Sequence, residues 1–408
     1  MYPELARRLG VPYRRNGALV VAFDQDEVPT LRKLYEQGIE NGVEHLRLID
    51  RDEIIRLEGK INPKAVMALD VPDSAVVSPY EMTIALAYHA AQCGVRFVFD
   101  SAVERISWEN GVYTVNAGGS VYRARCVINC AGCASDRVRA MMSGEKIRIQ
   151  PRRGEYYLLD KTETCPFSRT IFQVPGKMGK GVLVTPTAHG NTLLGPSAED
   201  ISDAGDKRTT AEGLGFVYEK CALTWPEVSK RNVITTFAGV RAHEDGGDFL
   251  IGAVPGAPGG AFEAAGIESP GLSAAPAIGE ALAQAAAEFL SAAMKASVPE
   301  AVPLLKPFHE MSEAEKEDAC AKNPEYGRLV CRCEEITEAE ILDALRRPVP
   351  ARSIDAVKRR TRAGMGRCQG GFCSPRVLEI ICQETGKSPL QITKSGGQSF
   401  ILTGTLKQ

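Results

Sequence analysis

Two close cysteine pairs constrain this chain more than anything else in it. Cys331 and Cys333 are separated by one arginine, and thirty-four residues later Cys368 and Cys373 enclose four others. With Cys382 they crowd the last fifth of 408 residues, whereas Cys93, Cys126, Cys130, Cys133, Cys165, Cys221 and Cys320 are scattered through the rest. The chain opens on MYPELARRLG, which lacks the apolar core of a secretory signal, so its thiols are expected to stay reduced. Reduced and clustered, four thiolates meet the ligand demand of a [2Fe–2S] cluster or of a structural zinc ion. The surrounding loop, GMGRCQGGFC, holds Gly364, Gly366, Gly370 and Gly371, whose missing Cβ atoms let backbone wrap closely and aim N–H groups at sulfur. A Cys-x-Cys start is tighter than the gaps common in zinc fingers and favours iron and sulfur, with zinc the alternative. Just upstream, KRRTR (358–362) either offsets an anionic cluster or is a solvated helix face. Cys382, inside the helical VLEIICQE, reads as a core thiol.

At 408 residues the chain is too long for one core and suggests two or three domains. A net charge of -2 and a pI near 6.3 give none of the basic footprint of a nucleic-acid binder. No apolar run reaches the roughly 18 residues of a membrane helix, so a soluble, cytoplasmic protein is expected.

GALVVA (17–22) and LRLI (46–49) read as strands around a helix that ends at Asn41-Gly42. SPYEMTIALAYHAAQCG (78–94) is a helix with Ser78 as N-cap, Pro79 at the first position, Glu81 at the capping-box position and Gly94 as the stop. VRFVF (95–99) reads as a strand, and RISWENGVYTV as a hairpin turning at Asn110-Gly111. CVINCAG (126–132) followed by SDRVRAMM is a strand, small-residue turn and helix, a form that admits a ligand phosphate or ribityl chain close to backbone N–H groups, although alone it commonly just turns a corner. Residues 149–250 are strand-rich, and GIESPGLSAAPAIGEALAQAAAEFL (266–290) is a loop entering a long alanine-rich helix. The polar stretch 297–328 reads mostly as linker with one short charged helix.

With these segments in view, CRCEEIT and VKRRTRAGMGRCQGGFCSPRV resemble the [2Fe–2S] domain of the bacterioferritin-associated-ferredoxin type. CVINCAGCASD, PRRGEYYLLD, KGVLVTPTAHGNTLLGPSAED, FAGVRA with DFLIG, and AGIESPGLSAAPAIG resemble the FAD-dependent oxidoreductases of D-amino-acid oxidase type, nearest the glycerol-3-phosphate and L-2-hydroxyglutarate dehydrogenase branch. The resemblance implies an α/β FAD-binding layer, an α+β substrate domain with a mostly antiparallel sheet, and a small helical C-terminal [2Fe–2S] domain. It divides the chain into an oxidoreductase body over 1–296 (FAD-binding parts about 75–145 and 246–292, substrate sheet about 10–74 and 146–245), a linker over 297–326, the iron–sulfur domain over 327–385 and a tail over 386–408. The family's opening strand, Gly-x-Gly-x-x-Gly turn and helix have no counterpart in this text, so about seventy preceding residues are expected to be missing and the FAD-binding layer to be incomplete.

Carried over by position, Val103 lies beside the adenine end of FAD, Ala131 and Gly132 near its middle, and Gly271 and Leu272 near the ribityl and isoalloxazine end. Arg241 clamps a substrate carboxylate or phosphate, as a guanidinium fork suits. Tyr156 and Lys180 are expected to face the pocket, while His189 and His243 are possible bases that equally suit structural roles. Cys331, Cys333, Cys368 and Cys373 hold the cluster. The expected activity is hydride removal from a small anionic alcohol, glycerol 3-phosphate first and L-2-hydroxyglutarate or another 2-hydroxy acid second. Electrons would leave through the cluster to an acceptor protein or partner subunit, through which the protein could associate with a membrane. The rival reading is a non-enzymatic iron–sulfur electron-transfer module on a truncated flavoprotein scaffold.

Overall fold

Ile149–Leu159 and Val233–Glu244, rich in β-branched and aromatic residues, make two long strands that pair antiparallel from Ile149↔Glu244 to Leu159↔Val233. Around them the computed structural model, which describes residues 1–162, 165–176 and 181–404, builds a nine-stranded sheet. From Ile149–Leu159 the order runs through Thr192–Gly195, Leu183–Pro186, Thr170–Gln173, Ala18–Ala22 and Met67–Val71 to Arg47–Asp50, with Glu199–Asp200 on the far side. Thr170–Gln173 runs parallel to Ala18–Ala22, and the other pairings are antiparallel.

The period of two separates the faces. Tyr157, Leu159, Val184 and Leu194 point to one side and bury against Val217 and Cys221 of helix Ala211–Thr224. That helix is fixed by a buried carboxylate: Glu155 accepts from Thr210 N at 2.7 Å and Thr210 Oγ1 at 2.9 Å, while Thr210 Oγ1 caps Gly213 N at 3.0 Å. Alternate residues Leu158, Thr235 and Phe237 face the opposite side, where the cavity described below lies.

A second layer holds the parallel pair Val127–Asn129 and Ala261–Ala265, with Leu250–Ala253 antiparallel beside the latter. Arg139 and Glu263, both buried, pair beneath it at 2.5 Å. The expected hairpin forms between Val103–Glu109 and Val112–Ala117, turning on Asn110 (φ 52°) and Gly111 (φ 79°). Two left-handed residues in succession match the right-handed twist of the strands.

Three local expectations are corrected. VRFVF is irregular and exposed; its β-branched and aromatic composition suits a strand, but no strand among the described residues offers it a ladder. Helix Pro79–Gln92 starts after Ser78 as expected, yet no capping box forms. Glu81 turns away instead and meets His189 Nε2 at 2.7 Å. The stretch expected to be linker is also tied down in part. Leu304 N donates to Leu9 O at 2.9 Å, Ala301 joins the core of Leu9, Met82 and Ala85, and helix Glu313–Lys322 carries a full capping box.

At the C-terminal end, helices Glu338–Arg346, Ile354–Thr361 and Ser374–Thr385 enclose Ile341, Leu345, Val357, Val377 and Ile380. Cys382 packs at the edge of this core, as its helical context indicated, and Ile392 of the tail is buried in it. No helix among the described residues is long and apolar enough to cross a membrane.

Candidate functional site

The four clustered thiols are delivered by different elements to one place. Cys331 ends the strand Leu329–Cys331, Cys333 follows in the turn, Cys368 sits in the glycine loop and Cys373 immediately precedes helix Ser374–Thr385. They meet as two pairs. Cys333 Sγ lies 3.7 Å from Cys368 Sγ at the surface, and Cys331 lies within hydrogen-bonding reach of Cys373, both buried. The loop reaches this shape through left-handed backbone at Gly364 and Gly370 (φ 91° and 88°), and a Cβ at Gly366 would stand 2.4 Å from that of Cys333.

The local field favours one thiolate in each pair, Cys331 and Cys368, while the partners Cys373 and Cys333 are pushed up beside them. The Cys331 thiol is drawn down to about 6, first by the Cys373 thiol and then, against burial, by the N–H groups of Gly364, Glu334 and Cys333. Cys368 is lowered chiefly by the Phe372 N–H, then by Cys333 and the N–H groups of Gly370 and Gly371, against its desolvation. Among the described residues no three His, Cys, Asp or Glu side chains converge to hold one metal ion. Four thiols that come as two pairs suit two irons taking two thiolates each rather than one tetrahedral zinc, so the residues present fit a [2Fe–2S] cluster.

The basic run KRRTR turns inward. Arg362, buried, donates to Glu334 at 2.8 Å, Tyr80 Oη at 2.8 Å and Asn191 Oδ1 at 3.3 Å. Arg360 reaches Tyr88 Oη at 3.0 Å, and Arg367 holds Asp160 and Thr162. Burial raises the Glu334 carboxyl, but the cations of Arg362 and Lys161 more than offset it and hold it below 4.5. Arg362→Met leaves this carboxylate buried with one cation fewer, and removal of one partner of a buried pair costs about 3–5 kcal/mol. The expected result is a lower unfolding temperature for the module and lost amide protection in helix Ile354–Thr361, largely recovered in Arg362→Met/Glu334→Leu. A variant as protected as the parent would contradict the latch.

Between module and body lies a cavity of about 500 Å³, walled by Tyr80, Thr185, His189 and Phe237 from the body and by Lys358 and Arg362 from the module. Tyr80 and His189 stack at 6.4 Å. His189 is thus engaged by Glu81 and Tyr80, and His243 Nδ1 meets Glu268 at 2.8 Å, tying its strand to the loop before helix Gly271–Leu290.

Farther along Val233–Glu244, Phe237 stacks on Tyr156 at 5.0 Å. Arg241 follows four residues later, about 13 Å at strand spacing, and is not part of the cavity wall. Its Nη2 donates to Ser197 O at 3.0 Å, and no carboxylate among the described residues lies within salt-bridge distance of it. Neighbouring Arg152, by contrast, takes Asp200 at 2.6 Å. The Tyr156 phenol is pushed up by burial and pulled back by Arg241. Lys180 lies outside the described residues.

On the flavin side, Ala131 and Gly132 follow the carboxyl end of Val127–Asn129, and Gly271 and Leu272 open the helix after Ala261–Ala265. Because those strands are parallel neighbours, both turns reach the same edge of the layer, where a doubly wound fold receives its dinucleotide. A Cβ at Gly132 would meet nothing within 4 Å, and Leu272 is exposed, so the edge is open and partly apolar as a flavin requires. Val103 begins the hairpin of a separate sheet. Sequence reasoning missed Tyr80, Glu334 and the aim of Arg362, which ends its helix in left-handed backbone (φ 70°), a conformation that no local signal in KRRTR announces.

A layered α/β body with an open dinucleotide edge, joined to a four-thiolate module, defines an iron–sulfur flavoprotein oxidoreductase. Residues 1–285 match the FAD dependent oxidoreductase family and residues 329–383 the BFD-like [2Fe-2S] binding domain. The chain belongs to that FAD dependent oxidoreductase family and takes FAD and a [2Fe–2S] cluster as cofactors. It is 44% identical over its whole length to a glycerol 3-phosphate dehydrogenase of Caloramator mitchellensis, covering 85% of that protein. A mitochondrial L-2-hydroxyglutarate dehydrogenase of Mus musculus is more distant, 32% identical over 48% of this chain and 45% of the relative. Among solved structures, the FAD-bound L-alpha-glycerophosphate oxidase of Mycoplasma pneumoniae superimposes with a TM-score of 0.68 at 27% identity, over 74% of this chain and 79% of that one.

Proposed function

We propose that the chain is a dehydrogenase for glycerol 3-phosphate that delivers its electrons through Cys331, Cys333, Cys368 and Cys373 to an acceptor protein. The observation that carries the substrate class is Arg241. It is a guanidinium near the end of a long strand, steadied by the Ser197 carbonyl, with no carboxylate among the described residues within salt-bridge distance. Such a fork takes a phosphate through two parallel hydrogen bonds and fixes the orientation of the carbon chain behind it. The stacked Tyr156 and Phe237 give the adjoining sheet face an apolar, aromatic surface. When bound, FAD accepts the hydride from the substrate carbinol and the cluster passes the electrons on singly. The relatives that act on glycerol 3-phosphate support this substrate above a 2-hydroxy acid.

The test is anaerobic purification with iron, sulfide and flavin analysis, followed by single-turnover reduction with glycerol 3-phosphate and, separately, with L-2-hydroxyglutarate. Bleaching of flavin and then cluster by glycerol 3-phosphate alone is expected. Bleaching by the hydroxy acid alone would replace the substrate assignment. A chain that binds cluster but never flavin would leave an electron-transfer module.

A further inference from the structure

The cavity between body and module contains one cation that nothing yet described uses. His189 is paired with Glu81, and Arg362 is shared among Glu334, Tyr80 and Asn191. Lys358, in the last turn of the helix that Arg362 terminates, is half-buried on the cavity wall. Among the described residues its ammonium has neither a salt bridge nor a side-chain hydrogen bond, since Asp355 on its own helix is taken by Lys394 at 3.3 Å. Burial holds its pKa below the usual 10.5, the mark of an ammonium short of water. A desolvated cation is costly; Asp355 favours the charged form without making a salt bridge to it and offsets the burial only in part, and a small anion in the cavity would relieve the rest. Lys358 also feels the charge of Cys373, the buried ligand on its side of the cluster.

We infer that this cavity binds a small phosphate-type anion through Lys358, and that its occupancy is coupled to the redox state of the adjacent cluster. Reduction adds one negative charge to the cluster, which repels an anion held on the same lysine. The anion therefore binds more tightly to the oxidised protein, and by linkage its presence lowers the cluster potential. A tenfold difference in affinity between the two states corresponds to a fall of about 59 mV for one electron. Two sources share this chemistry: free inorganic phosphate, and the phosphate ester that the proposed reaction consumes. At about 500 Å³ the cavity has room for either.

The experiment uses the full chain purified without oxygen and loaded with cluster. Inorganic phosphate and, in a separate arm, glycerol 3-phosphate are titrated calorimetrically into the oxidised and the electrochemically reduced protein, and the cluster potential is followed by electron paramagnetic resonance with and without each anion. Saturable binding of at least one anion is expected, about tenfold weaker to the reduced form, with the matching fall in potential. Lys358→Gln should lose at least tenfold in affinity and all of the potential response, and Lys358→Arg should keep both, with the cluster spectrum unaltered in each.

Binding of phosphate alone identifies the free ion as occupant, and binding of the ester alone identifies the substrate; both uphold the site. Saturable binding of neither anion, equal affinity in both redox states, or parental affinity in Lys358→Gln overturns it. If Lys358→Gln fails to load cluster, the Lys358→Arg variant and the redox dependence in the parent decide. Oxidation of glycerol 3-phosphate is scored separately, so the substrate assignment and this site can fail independently.

Discussion

Serine at Cys373 is expected to remove the [2Fe–2S] chromophore, taking iron and sulfide from about two each per chain to below about a tenth of that. Cys373 is buried and shares its position with Cys331 at the interior side of the site, where water cannot stand in for a lost thiolate. The effect extends to stability, because metal binding contributes folding free energy wherever the ligands are assembled only in the folded state. The iron-free variant should therefore unfold at a lower temperature and expose Ile336, Ile341 and Val377, buried around the loop. Cys382→Ser, whose thiol packs on the core edge away from the two pairs, should keep both iron and spectrum. Full iron in Cys373→Ser, or zinc in place of iron in the parent, would defeat the assignment of these four cysteines.

The second large effect is at Arg241. Truncating one member of a charged, hydrogen-bonded pair that substrate binding covers costs about 2–5 kcal/mol, and each 1.4 kcal/mol is a factor of ten. Arg241→Met should thus lower kcat/KM for glycerol 3-phosphate by roughly 10²- to 10³-fold. Arg241→Lys should restore part of the loss, because an ammonium keeps the charge but not the fork. Cluster content and flavin content should be unchanged in both. A kcat/KM within a few-fold of the parent would place the substrate anion on another cation, and Lys358 would be the first to examine.

Local sequence carried much of this molecule, for reasons that can be named. The Asn110-Gly111 hairpin was legible because two successive left-handed residues leave few alternatives. Helix Pro79–Gln92 was legible from its proline start. Its capping box was not, since Glu81 had two possible partners and the second, His189, is 108 residues away. VRFVF failed for the complementary reason: strand propensity expresses itself only where a neighbour supplies the ladder.

The KRRTR run shows the division most clearly. Charge alone allowed a solvated helix face or a counter-charge for a cluster, and the fold chose a third outcome: Arg362 as a latch between two domains, Arg360 on Tyr88, and Lys358 facing a cavity. Which residue meets Tyr80, at position 80, depends on the placement of a helix nearly three hundred positions later.

By itself, then, the sequence determined that two close cysteine pairs frame a glycine-rich loop and that Arg241 stands on a strand, because residue type and short spacing are local properties. Only the tertiary structure decided that the thiols fall into one buried pair and one nearer the surface, that the module docks on the body through Arg362, and that a cavity opens between them. Burial, pairing and free space depend on contacts between segments far apart in the chain, which no local pattern encodes.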